Sequence, residues 1–267
     1  MDQLLQNKDR FQRKAITIFD QNVMDLNGDN KIPNASSSVL FLIGEPQTLN
    51  GTPSLILNKR SRQVRQPGDL CFPGGGPAPR KDAAFARLMS LPGFPLFRWR
   101  SQTRCNQPEK IRQLAQLLAI CLRESFEEMR LIPLGVRFLG PLPRQRLIMF
   151  DRIIFPMVGW VTHQKHFRLN GEVEKIVPIP IHALLNPDNY ASFQLIYPSD
   201  LPSGIDKKRQ VFPCFVHRQK GAPEILWGAT YRIVMTFLAQ IFNFAPPETS
   251  DLPEIDNHLP MAYFNHA

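Results

Sequence analysis

The stretch RESFEEMRL, residues 123 to 131, decides how the rest of the chain is read. It places Glu124, Glu127 and Glu128 at i, i+3 and i+4, positions that share one face of a helix. Like charges at that spacing repel, so an isolated helix gains nothing from them. Two readings follow. One is a solvated helix face. The other is a site for a hard divalent cation such as Mg²⁺, which takes oxygen ligands from a few carboxylates, water and substrate phosphates. The spacing predicts a helix from Pro108 to about Leu131, with an apolar stripe of Leu114, Leu117, Leu118, Cys121, Leu122, Phe126 and Met129. At about 100° per residue the three acids fall away from that stripe, outside the core. Periodicity does not choose between the two readings.

Outward from this helix the pattern alternates. SSSVLFLIGEP (36–46) and PSLILNKRS (53–61) read as strands, the first a continuous apolar run expected at the centre of a sheet. Residues 82–90 suggest a short helix stopped by LPGFP (91–95). VRFLGPL (136–142), LIMFDRIIFPMVGWV (147–161), EVEKIVPIPI (172–181), QVFPCFVH (210–217) and APEILWG (222–228) are strand-like, and ATYRIVMTFLAQIFNF (229–244) is an amphipathic helix. Leu4, Leu5, Phe11, Ala15, Ile16 and Phe19 give residues 1–24 a helical period too. A polar turn at Gly28 follows; DLNGDNKI (25–32) starts like a calcium loop, but Ser36 stands where the bidentate Glu is needed. The expected architecture is α/β, a mixed sheet between helix layers. The expected organisation is an N-terminal helix and turn (1–34), a main domain (35–245) and a loosely ordered polar tail (246–267).

The 267 residues include 32 Lys and Arg against 23 Asp and Glu, a formal charge of +9 that favours anionic ligands. The Arg-rich pieces 59–65, 98–104 and 206–210 lack the interleaved aromatics of single-strand binding modules, so no nucleic-acid partner is expected. No apolar run nears the roughly 20 residues of a membrane span, and the charged N-terminus lacks a signal-peptide core. The expectation is a cytoplasmic protein with no membrane partner. Its four scattered cysteines carry no zinc spacing and are expected as reduced thiols.

FPGGG (72–76) and RESFEEMRL (123–131) together resemble the Nudix box: a Gly, five residues, an acid, then RExxEExGU, with U aliphatic. LNKRSRQVRQPGDLCFPGG (57–75) resembles the extended stretch of the coenzyme A pyrophosphatase branch of that superfamily. LNGEVEKIVPIPIHALLNPDN (169–189) and LWGATYRIV (226–234) are similar to two later segments of the same branch, in the same order. The resemblance implies a Nudix-like α/β/α sandwich. It implies Mg²⁺ or Mn²⁺ on Glu124, Glu127 and Glu128, with Arg123 bracing the acids. Either Glu127 or Glu128 would do the proton work, and Glu172 or Glu174 would be a further acid. Arg60, Arg65 and the backbone at Gly74 and Gly75 would hold the substrate, a small molecule. The implied reaction is metal-dependent hydrolysis of the pyrophosphate bond of coenzyme A or a derivative, giving 4′-phosphopantetheine (or its derivative) and adenosine 3′,5′-bisphosphate. Another nucleoside diphosphate derivative, or a non-catalytic nucleotide-binding module, are the alternatives, and a homodimer is left open.

The chain departs from the pattern at five points. Forty residues separate Asp82 from Arg123 where the box has seven, an insertion placed at about 83–112. Asp82 stands in place of Glu, and Ala78 where the branch often has an acid. Arg130 replaces the box Gly, so either the helix continues there or Arg130 carries strain. Asp69 replaces Gln.

Overall fold

Ser36–Gly44 forms the central strand, and its alternating side chains sort the helices onto two faces. The computed structural model describes residues 2–26, 32, 35–147, 152–195, 210–218 and 222–255. The expected turn at Gly28, most of the basic piece 206–210 and the end of the polar tail lie outside them. In chain order the helices are α1 (Asp2–Gln6), α2 (Lys8–Asn22), α3 (Pro79–Met89), α4 (Pro95–Arg100), α5 (Pro108–Met129), α6 (Ile181–Leu184) and α7 (Gly228–Phe242). The strands are β1 (Ser36–Gly44), β2 (Ser54–Arg60), β3 (Leu70–Cys71), β4 (Gly74–Gly75), β5 (Val136–Pro141), β6 (Gln145–Arg146) and β7 (Ile153–Val161). They continue with β8 (Val173–Pro180), β9 (Tyr190–Leu195), β10 (Gln210–His217), β11 (Glu224–Leu226) and β12 (Glu254–Ile255).

The main sheet runs β3-β2-β1-β7-β5, with β8 also on β2, β4 on β1 and β6 on β7. β1 pairs parallel with β7 and antiparallel with β2, so the sheet is mixed. Phe41 of β1 packs against Phe237 of α7 at 4.4 Å between ring centroids, and Phe11 of α2 meets Trp160 of β7 at 5.4 Å. These side chains share one face, because Ile43 and Trp160 are paired across the strands. On the other face Ser38 reaches Cys121 of α5. Helices therefore cover both faces of the mixed sheet, an α/β/α sandwich. A second sheet, β11-β10-β9-β12, closes over a small core of its own with Ala191, Phe193, Cys214 and Val216.

The N-terminal helical pattern breaks in two at Asn7, whose side-chain oxygen accepts the Arg10 N–H at 2.9 Å and caps α2. The segment from Asp82 to Arg123 holds the rest of α3, all of α4 and the first turns of α5, joined by short connections. α4 was not foreseen, yet it buries Leu96 and Trp99 completely. The Trp99 indole donates to the Leu139 carbonyl at 3.3 Å and packs on Phe138 at 5.5 Å. This fastens the hairpin of α3 and α4 to β5.

α5 follows the expected bounds, but its burial does not follow a single stripe. Ile111, Ala115, Ala119, Ile120 and Ser125 are buried as well, while Phe126, assigned to the stripe, is 44% exposed. The Arg130 guanidinium lies over that ring at 5.0 Å. At Arg130 the helix stops, in the left-handed region at φ 54°. Its N–H donates to the Phe126 carbonyl and that of Leu131 to the Ser125 carbonyl, which together satisfy the helix end.

Candidate functional site

The glycine loop crosses the acid-bearing end of α5 at contact distance. β4 pairs with Ser38 and Val39 of β1, which sets the loop's height over the helix. At Gly74, φ is +155° and a Cβ would sit 2.6 Å from the Val39 Cα. At Gly75 a Cβ would run into the Glu124 carboxylate, 2.6 Å from its Cδ. At Gly74 the close approach is to backbone and requires glycine, whereas at Gly75 a side chain would displace the Glu124 carboxylate.

Arg123 is the hub. Its Nε donates to Asp82 Oδ1 at 2.7 Å, and one terminal nitrogen donates to Glu124 Oε1 at 2.9 Å and to Glu127 Oε2 at 3.3 Å. The other terminal nitrogen donates to the Gly76 carbonyl at 3.1 Å. The Arg123 side chain is only 11% exposed and that of Asp82 6%. Asp82 Oδ2 also accepts the Ala78 N–H, which ties the start of α3 to the loop. Forty intervening residues therefore do not pull Asp82 away from the helix acids. α3 folds back along α5 and delivers it.

Glu128 has a different environment. Its carboxylate accepts the Asn58 side-chain amide at 2.7 Å and the Gly74 N–H at 3.4 Å, and no cation pairs with it among the described residues. Burial pushes its pKa up to about 8, and the charges of Glu124 and Glu172 push the same way, against the two hydrogen bonds. Burial also raises Glu124, opposed by Arg123. All three acids lie outside the core, as expected, but Glu128 is the most enclosed of them. Helical stepping does point it away from the apolar stripe, but the glycine loop and β2 cover that side. Glu127 stays partly exposed at 42% and takes Lys81 at 3.6 Å.

Among the described residues no group of three His, Cys, Asp or Glu side chains is gathered tightly enough to hold a metal ion. Arg123 draws Glu124 and Glu127 to one side, and Asn58 draws Glu128 to the other. The donor chemistry nonetheless suits a hard cation. The carboxylates outnumber the arginine that serves them, one of them is buried without a cation, and Glu172 adds its field to both Glu124 and Glu128. Glu174 turns elsewhere, to Lys59 at 3.9 Å.

Arg60 lies beside Cys71, whose thiol also feels the Glu128 charge. Its Nε donates to the Arg65 carbonyl at 2.6 Å, so part of its guanidinium shapes the loop after β2. Arg65 itself is exposed. That loop is held on β8 by Ser61, which donates from its N–H to the Glu172 carbonyl and from its hydroxyl to the Gly171 carbonyl. Asp69 accepts the Trp227 indole N–H at 3.0 Å, and the Asn170 N–H donates to the Glu128 carbonyl. The four separated sequence segments thus meet around one place. Asn58 escaped the sequence reading. Its signal was a polar residue in the apolar run of β2, where it is buried at 1% exposure.

No family model matches the chain, and no curated protein does. Partial matches occur among solved structures. A NUDIX hydrolase from Alicyclobacillus acidocaldarius is 17% identical, covering 57% of this chain and 82% of its own, with a TM-score of 0.38. An Ap4A hydrolase of C. elegans, in a binary complex, is 12% identical over 57% and 83%, at 0.35. A MutT/nudix family protein from Enterococcus faecalis is 8% identical over 80% and 64%, at 0.41. The structural neighbours of this α/β/α chain include Nudix hydrolases.

Proposed function

We propose that the chain hydrolyses the pyrophosphate linkage of a nucleoside diphosphate derivative, with Mg²⁺ or Mn²⁺, and that coenzyme A or one of its derivatives is the substrate. The observation that carries this reading is the Arg123 hub, which joins the glycine loop, Asp82 and two helix acids across the insertion. A solvated helix face needs no such closure. The coenzyme A assignment is supported by the ordered resemblance of residues 57–75, 169–189 and 226–234.

Glu124, Glu127 and Glu128 would hold the cation, with Glu172 beside them. A bound divalent ion there offsets phosphate charge and lowers the pKa of coordinated water. Arg123 keeps Glu124 and Glu127 oriented, through hydrogen bonds that a lysine's single ammonium could not reproduce together. Glu128 is the preferred proton acceptor, because a carboxylate held near neutrality can take a proton and release it again. The Gly74 and Gly75 backbone lets the substrate approach without a side chain in the way. Arg65 and the free edge of Arg60 would meet its phosphates.

The test is a product assay. The full chain is incubated with coenzyme A and Mg²⁺ or Mn²⁺, beside Glu128→Gln, and products are separated by mass. Adenosine 3′,5′-bisphosphate from the wild type alone supports reaction, bond and site. Product from ADP-ribose or dinucleotides, with coenzyme A untouched, keeps the reaction and removes the substrate. No product from any of them leaves a nucleotide-binding module.

A further inference from the structure

The hairpin of α3 and α4 carries two features that the site does not use. The first is apolar. Leu88, Leu91 and Phe97 are 40%, 48% and 42% exposed. They follow one another around the turn between the helices. The Leu91 N–H donates to the Leu88 carbonyl, that of Phe94 to Leu91 and that of Arg98 to Phe94. Gly93, at φ +87°, makes the bend. The turn does not dangle, because Leu96 and Trp99 anchor α4 in the core beneath it.

The second feature is charge. Residues 79–104 hold six cationic side chains against one acid, Asp82, and that acid is spent on Arg123. Arg87, Arg98 and Arg100 flank the apolar tip and are exposed. Among the described residues no ion pair engages their guanidinium groups.

We propose that this tip docks on an anionic phospholipid surface. Leu88, Leu91 and Phe97 would enter the boundary between headgroups and acyl chains, and the three arginines would sit at the phosphates. A lipid surface uses both features at once: buried apolar area supplies one part of the affinity and attraction to anionic headgroups the other. Duplex nucleic acid would use the arginines and leave two leucines idle, and the exposed ring at the tip, Phe97, makes no stacking platform by itself. The earlier expectation of no membrane partner rested on the lack of a spanning segment. No described helix is long and apolar enough to cross a bilayer. Lying on a surface needs no such helix.

The experiment is flotation of the full chain with vesicles of phosphatidylcholine alone and of phosphatidylcholine with phosphatidylserine, at low and raised salt. The wild type is expected to float with the anionic vesicles only, and less at raised salt. Arg98→Ser should lower partitioning about fivefold. The double substitution Leu91→Ser with Phe97→Ser should abolish it while leaving circular dichroism, melting and hydrolysis unchanged. Failure to float with anionic vesicles overturns the proposal, as does equal flotation of the double variant. So does a wild-type dimer that the double variant turns into a monomer, which would assign the tip to a second copy. Salt-sensitive retention of duplex DNA without vesicle binding overturns it in favour of nucleic acid.

Discussion

Two ion clusters of opposite make-up sit on either side of β2. In one, a single arginine serves three carboxylates: Arg123 with Asp82, Glu124 and Glu127. In the other, a central carboxylate takes two lysines: Glu224 of β11 accepts from Lys59 of β2 at 3.1 Å and from Lys175 of β8 at 2.7 Å, with Glu174 at 3.9 Å from Lys59. Glu224 is buried and the Arg123 side chain is largely enclosed. The second cluster is self-contained: Lys59 and Lys175 are register neighbours, and Glu224 fastens the small sheet to the large one. The first is short of positive charge, and beside it stands Glu128 with no cation at all. A cluster in surplus of acid at the foot of a glycine loop has room for a ligand's charge. A cluster that neutralises its own central group has a structural task only.

Substitution can break this contrast. Glu128→Gln keeps the shape and the Asn58 contact but removes the carboxylate proposed as proton acceptor. Hydrolysis should fall about 10²–10⁴-fold, measured as kcat on the substrate that the product assay identifies. Arg123→Met leaves Asp82 buried without its partner and should lower unfolding free energy by about 3–5 kcal/mol, read by urea denaturation. Glu224→Gln should cost about 1–3 kcal/mol in the same measurement and leave hydrolysis unaltered. If Glu224→Gln silenced hydrolysis as fully as Glu128→Gln, the two clusters would not differ in role.

A pH series sharpens the same comparison. The Glu128 carboxyl is raised from 4.5 to about 8, so the folded chain binds the proton more tightly than the unfolded one. The stability this provides is complete below about pH 4.5 and is lost as pH rises towards 8. Melting temperature measured with a chelator present should therefore fall across that window, and Glu128→Gln should flatten the fall. Added Mg²⁺ should restore the wild type at pH 8 and leave the variant unmoved. The smallest effect is at Arg130. Its left-handed backbone costs about 1 kcal/mol that glycine avoids, so Arg130→Gly should stabilise by somewhat less than that once the contact with Phe126 is lost.

What could be read in advance depended on how local the determinant was. β1, β2, α5 and α7 are declared by their own periodicity. The choice between an extended helix and strain at Arg130 was visible, but only its packing decided it, in favour of the left-handed cap. α4 was missed because PLFRWR is too short to show a period, and what makes it a helix is the burial of Leu96 and Trp99 against β5. The partial cover of Glu128 was hidden for the same reason: it comes from the glycine loop, fifty residues earlier. Asn58 and Glu128 each look ordinary in their own segment and matter only as a pair.

The bridge from Asp82 to Arg123 has a further consequence for the order of assembly. Closing a chain of forty-one bonds in place of eight costs about 1.4 kcal/mol more in loop entropy. The expected result is that the acid cluster closes later than α5 on refolding; pulsed hydrogen exchange comparing the Gly74 and Gly75 amides with those of α5 checks this, and simultaneous protection would remove it.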